Sequence, residues 1–195
     1  MIKTIVAYES VSQLMKCKVH EEEDMKKVKV LAAIMMIAAM LVGCGGKEIV
    51  LKDFPAGDGS YSIQMNEEWI VEDMGDDSWV AAFNEIGSEG GMVMQFTKEM
   101  LQGSITDLAG FKEIVESSYV MSDLEALEVS NAAFINSEAY TCGMNVDNLS
   151  GEGCVAYGET DYAFYVILTV KGGTQTDAEV ESFKKVVASF TETAQ

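Results

Sequence analysis

The chain has no arginine, a single proline, a single histidine and four cysteines in 195 residues. Each scarcity narrows the chemistry. The lone histidine, His20, sits near the start, and none follows it. Histidine is the commonest general base and metal ligand at neutral pH, so the chain beyond it can build neither a Ser-His-Asp nor a Cys-His nucleophile, nor an ordinary zinc site. Enzymes that work with carboxylates or lysine stay open. The cysteines (Cys17, Cys44, Cys142 and Cys154) include no Cys-x-x-Cys pair, which removes dithiol redox chemistry. Cations are scarce as well: from residue 44 onward 7 lysines face 27 carboxylates, a formal charge of −20. Such a field repels nucleic acid and anionic headgroups, which excludes a nucleic-acid partner. It attracts cations or a basic partner, and it also keeps a surface protein soluble and unsticky.

What is there begins with Lys26-Lys27-Val28-Lys29, an apolar run over 30–42, and Gly43-Cys44-Gly45-Gly46. The run has thirteen residues, whereas a membrane-spanning helix needs about 20 and a signal-peptide core roughly 7–15. The lysines supply the flank that stays in the cytoplasm. Leu41-Val42-Gly43-Cys44 resembles the lipobox of bacterial lipoproteins. That resemblance implies a diacylglyceryl group on the Cys44 sulfur, cleavage before Cys44, and residues 25–43 as the signal peptide. Residues 1–24 precede this signal and carry the acidic run Glu21-Glu22-Glu23-Asp24 just before its basic flank. Met25 is therefore the expected initiator, with 1–24 an upstream start artefact; a real, disordered extension is the alternative. Residues 44–53 are expected to tether the lipid to one domain over 54–195, a size that supports its own core.

Within that domain Pro55 and Gly57-Asp58-Gly59 predict a turn. Alternation places Tyr61, Ile63 and Met65 on one face of a strand over 60–65, and Trp69-Ile70-Val71 continues into a second. Strands are predicted over 78–83 and 91–97, separated by a loop over 85–91. Met92, Met94 and Phe96 share a core face. Leu108, Phe111, Ile114, Val115 and Tyr119 recur at helical spacing, predicting a helix over 107–120 capped by Thr106 or Asp107. Strands follow over 124–130, 138–146, 154–158 and 162–170, with 147–153 as a glycine-bearing connection. The continuous run over 163–168 predicts cover on both faces, hence a central position. Thr176-Asp177-Ala178-Glu179 has capping-box spacing, and Val180, Phe183, Val186, Val187 and Phe190 form one apolar helix face behind it.

Tyr61-Ser62-Ile63-Gln64-Met65-Asn66-Glu67-Glu68-Trp69 resembles the opening hairpin of the fold shared by the photosystem II extrinsic protein PsbP and a eukaryotic Ran-binding import factor. Phe183-Lys184-Lys185-Val186-Val187-Ala188-Ser189-Phe190 is similar to its closing helix, so the resemblance spans roughly 54–191. Asn66 stands where that turn often has proline. The resemblance implies an α+β class, an antiparallel sheet with helices packed on its faces in a PsbP-like α/β/α sandwich. It implies little about function, because one fold hosts unrelated roles.

Two sets of residues are site candidates. A three-residue hairpin loop over 147–149 would put Cys142 opposite Cys154 and suit a disulfide, which export permits; a slip of one residue leaves two buried free thiols. Asp73, Asp76 and Asp77 offer hard oxygens to calcium, but their spacing matches no EF-hand loop, and a solvated turn is the alternative. No other cofactor is expected. The expected function is a non-catalytic binding or interaction module, lipid-anchored at the extracytoplasmic face of the cell membrane, with an envelope protein or small ligand as partner. The alternative is a carboxylate-dependent hydrolase of envelope glycans. Cells fed labelled palmitate are expected to label the chain, and Cys44→Ser to abolish both the label and sedimentation with membranes. A labelled serine variant, or an unaltered chain free in cytosol, would contradict the lipid anchor.

Overall fold

The computed structural model describes residues 49–146 and 149–193. In chain order the elements are β1 (Leu51–Pro55), β2 (Tyr61–Asn66), β3 (Ile70–Glu72), β4 (Trp79–Phe83), β5 (Glu89–Thr97), α1 (Lys98–Leu101), α2 (Leu108–Ser118), β6 (Val120–Ala126), β7 (Asn136–Val146), β8 (Leu149–Glu159), β9 (Ala163–Gly172), α3 (Asp177–Ser189) and β10 (Thr191–Glu192). A seven-stranded sheet runs β3-β4-β5-β9-β8-β7-β6, and a small sheet runs β1-β2-β10. Every strand pair in both ladders is antiparallel.

β9 is central because its sequence leaves it no other place. Ala163, Tyr165 and Ile167 point into one core, and Phe164, Val166, Leu168 and Val170 into the other. A strand apolar on both faces has to be covered on both. The first core is closed by α3 and the small sheet, the second by α1 and α2. α3 starts as its sequence dictates: the Thr176 side chain accepts from the Glu179 amide while the Glu179 carboxylate accepts from the Thr176 amide. α2 starts at Asp107, whose carboxylate accepts from the Gly110 amide at 2.8 Å, and it buries Leu108, Phe111 and Val115. Phe111 stacks on Phe164 of β9 with ring centroids 5.2 Å apart. In the opposite core Phe190 lies 4.7 Å from Tyr165 and 4.7 Å from Phe134. Ring pairs of this kind add about 0.5–1.5 kcal/mol beyond the area they bury.

A polar chain ties the small sheet to the large one. Gln95 donates to the Tyr165 hydroxyl at 2.6 Å, and Tyr165 and Thr160 both donate to the same Glu192 oxygen, at 2.9 and 2.8 Å. Glu192 lies on β10, a two-residue strand with no sequence pattern of its own.

Several boundaries differ from expectation for identifiable reasons. Residues 51–53 belong to β1, not to a tether, because Leu51 and Phe54 are buried against the first core. Pro55 ends this edge strand, where a missing N–H costs no ladder bond. The strand expected over 124–130 lies earlier, at β6, because α2 stops at Ser118 and the chain turns straight into the sheet. β8 begins at Leu149, so much of the expected connection over 147–153 is strand. Its glycines are there for contact, not for turning: a Cβ at Gly151 would meet the Lys171 carbonyl at 1.8 Å, and one at Gly153 the Thr169 carbonyl at 2.3 Å. The loop over 85–91 is likewise shortened by β5, which starts at Glu89.

The β7–β8 register decides the cysteines. Val146 pairs with Leu149, so two residues separate the strands instead of the expected three. Cys142 consequently faces Gly153, and Thr141 faces Cys154. One residue of slip sends the thiols into different cores, and both are free. Burial pushes the Cys142 thiol up to about 11 and the Cys154 thiol up to about 12, so neither is a ready nucleophile at neutral pH. The intact mass of oxidised, non-reduced protein is expected to show both thiols free, with alkylation only after denaturation. A mass short by a pair of hydrogens, restored by reductant, would contradict this register.

Candidate functional site

Where the small sheet, α3 and the end of β9 meet, they leave a crevice of about 40 Å³. Its walls are apolar: Leu51 from β1, Trp69 from the turn before β3, and Phe183 and Val186 from α3. Trp69 can enter because β5 has Gly91 beneath it; a Cβ there would stand 2.7 Å from the indole ring. The charged groups of its rim come from three distant parts of the chain, Glu89, Lys171 and Glu179. The Lys171 ammonium donates to Glu179 Oε1 at 2.5 Å, while Glu179 Oε2 accepts from the Thr176 amide at 2.7 Å and its hydroxyl at 2.9 Å. Glu179 thus closes its own helix and holds a cation at once.

The two carboxylates of the rim are pushed in opposite directions. Burial, then the neighbouring charge of Glu179, raises Glu89 above the ordinary carboxylate range, against the pull of Lys171 and a bond from the Trp69 indole. Burial also acts upward on Glu179, but the bonds from Lys171 and Thr176 outweigh it and bring that group down. Carboxylates of divergent acidity are what acid–base chemistry uses. The space beside them holds only a few water molecules, since each needs about 10–15 Å³ on this measure.

A second depression, about 740 Å³, is an open groove between the 127–130 segment, β7 and α3. It carries both signs of charge, with Glu128, Glu138 and Glu181 against Lys184 and Lys185. Lys184 is already engaged by Glu181 at 2.5 Å.

The expected site residues are not gathered in either place. Cys44 lies outside the described residues. Cys142 and Cys154 are buried on opposite faces of the large sheet. Asp73 and Asp76 hold their own loop: Asp73 accepts from the Gly75 amide at 2.8 Å, and Asp76 accepts from the Ser78 amide at 2.9 Å and its hydroxyl at 2.6 Å. The Asp77 carbonyl accepts from the Asp58 amide at 3.1 Å. Among the described residues no group of three or more His, Cys, Asp or Glu side chains is placed to hold a metal ion. Nothing in linear spacing joins Glu89, Lys171 and Glu179; of the three, the sequence pattern marks only the capping role of Glu179.

The fold has counterparts among solved structures. The Ran-binding protein Mog1p of Saccharomyces cerevisiae matches with a TM-score of 0.51 at 11% identity, covering 74% of this chain and 96% of that one. The cyanobacterial PsbP (CyanoP) of Synechocystis sp. PCC 6803 matches with a TM-score of 0.46 at 15% identity, covering 79% of this chain and 98% of that one. No protein-family model and no curated protein matches the chain. The chain has an α+β fold like that of Mog1p. At this identity the likeness establishes fold alone, and the antiparallel sheet with helices on its faces is the architecture that the sequence resemblance implied.

The rim makes a stability prediction. A carboxyl whose acidity is weakened by folding costs stability as pH rises from its unfolded value through its folded one, and the cost is complete at neutral pH. Glu89→Gln keeps the acceptor for Trp69 and removes that cost. Thermal melts are expected to show the variant more stable at pH 7, by less than about 1 kcal/mol for a half-buried, solvent-screened position, and equal to the parent near pH 4. A variant less stable at pH 7 would contradict the assignment.

Proposed function

We propose that this protein is a lipid-anchored binding module on the extracytoplasmic face of a bacterial membrane, one that holds a partner at its surface and transforms no substrate. The observation that carries the binding half is a mismatch of size and shape among the described residues. The polar-rimmed crevice, itself partly open, has about 40 Å³, against roughly 300–1,000 Å³ for pockets that bury a small-molecule ligand. The ligand-sized depression, about 740 Å³, is open. A glycan hydrolase needs two carboxylates flanking a sugar ring, roughly 5–9.5 Å apart. In the crevice the lysine ammonium sits against Glu179, and that carboxylate is also committed to its helix cap.

The remaining support is of two kinds. The lipobox-like Leu41-Val42-Gly43-Cys44 stands only a few residues before β1, so the anchor would keep the domain close to the headgroups. Mog1p, which has this fold, is a Ran-binding protein; the fold is thus in use for holding another protein, and a protein partner is the class favoured here.

The test separates binding from turnover. Purified full-length protein incubated with peptidoglycan is expected to release no reducing sugar above the blank. Amine-reactive cross-linking in intact cells is expected to trap the chain on a partner, equally for the parent and for the Glu89→Gln, Glu179→Gln double variant. Sugar release that the double variant abolishes would overturn the module in favour of the hydrolase.

A further inference from the structure

The seven-stranded sheet ends differently on its two sides. At β6 the ladder breaks between Ser122 and Glu125, and Asp123 adopts a left-handed backbone at φ 53°. A bulge of that kind spoils an edge as a template for further strands. β3 has no such device. It pairs regularly with β4, and its outer side has no neighbouring strand among the described residues. Ile70 and Val71 are 59% exposed although both lie in the sheet. They project to opposite faces of it, as consecutive strand residues do. Ile70 pairs with Phe83, immediately before the 84–88 turn that carries Ile86, 82% exposed. Bulky apolar side chains therefore stand on both faces of a strand whose outer backbone groups have no strand partner.

The surroundings are predominantly acidic. Glu67, Glu72, Asp73, Asp77 and Glu85 are exposed around this edge, against the Lys52 ammonium, which is engaged with the Glu67 carbonyl at 2.8 Å and the Trp69 carbonyl at 3.4 Å. A second copy of the chain would bring the same carboxylates face to face, and like charges opposed across a ladder are destabilising. The rim rejects self-pairing and favours a cationic strand. The open groove beside α3 has no comparable preference, because both signs line it.

From this geometry we infer that the β3 edge is a strand-addition site for an extended segment of a partner protein, apolar at its centre and rich in lysine or arginine. The inference names a partner class for the binding role proposed above and rests on it. In strand addition the backbone bonds supply affinity and the flanking side chains supply selection. Here Ile70, Val71 and Ile86 would be covered by the incoming apolar residues, and the carboxylates would meet its cations.

The probe is a fluorescent octapeptide of four central valines flanked on each side by two lysines, titrated onto the full chain, with the same peptide carrying glutamates in place of the lysines as its counterpart. The lysine peptide is expected to bind saturably, to weaken with added salt, and to slow amide exchange at Ile70–Glu72; the glutamate peptide is expected not to bind. Ile70→Lys with Val71→Lys is expected to weaken the lysine peptide by about tenfold or more, as is Ile86→Lys, with melting temperatures within a few degrees of the parent. Lys184→Glu with Lys185→Glu in the groove is expected to leave the edge protection unchanged. Four results would each overturn the inference: no binding of the lysine peptide, equal binding of both peptides, equal binding by folded edge variants, or a dimer in sedimentation that the edge variants dissolve. If the edge variants are still trapped on the cellular partner as well as the parent, the edge is wrong and the binding role stands. If neither chain is trapped on anything, the binding role itself fails.

Discussion

The burial of β9 on both faces is the constraint on which the rest of the molecule depends. Seven of its side chains, from Ala163 to Val170, divide between two cores that share no other wall so complete. Burying each large one is worth about 1.5–3 kcal/mol, set against the entropy of ordering the chain around it. To keep both faces dry, the chain must bring up a helix and a small sheet on one side and two helices on the other. The large sheet is thereby covered on both faces, and where the covering layers meet among the described residues they leave a crevice of about 40 Å³. Among the described residues the surface features left open are the groove beside α3 and the free edge at β3, where the proposed recognition is placed.

Electrostatics reinforce that division. Five lysines of the domain are tied to structural tasks. Lys98 pairs with Glu159 at 2.9 Å, Lys112 with Glu138 at 2.8 Å, Lys171 with Glu179, and Lys184 with Glu181. Lys52 donates to the Glu67 carbonyl at 2.8 Å, steadying the turn before β3. Exposed pairs of this kind contribute about 0–1 kcal/mol each. Their larger consequence is that the remaining carboxylates stay uncompensated, so the outer field is negative almost everywhere and most concentrated around 67–85. The expected solubility and the proposed preference for a basic partner rest on this one distribution of charge.

The sequence disclosed those parts of the fold whose pattern is local. The apolar run of β9, the Thr176 capping box and the spacing of α2 each determine their element within a few residues of chain. Glycine misled where it had a second use: at Gly151 and Gly153 it serves close approach between strands, and reads in sequence like a turn. β1 was hidden by Pro55, and β10 is too short to carry a pattern. The fate of Cys142 and Cys154 hung on one residue of hairpin length, which alternation alone leaves open. The crevice was illegible for a deeper reason. Glu89, Lys171 and Glu179 come from β5, β9 and α3, and only the completed sheet brings them to one rim. The β3 edge was half legible: Ile70 and Val71 read as strand residues, but their exposure depends on β3 standing last in the sheet order.

Amide hydrogen exchange of the free, full-length protein, resolved by residue, tests the sealed-sheet account most directly. Amides of β9 are expected to exchange only through global unfolding, at least about a thousandfold more slowly than those of β3, which open locally. Comparable exchange in β9 and β3 would contradict the account, because it would mean that the central strand is reached by solvent without unfolding the chain.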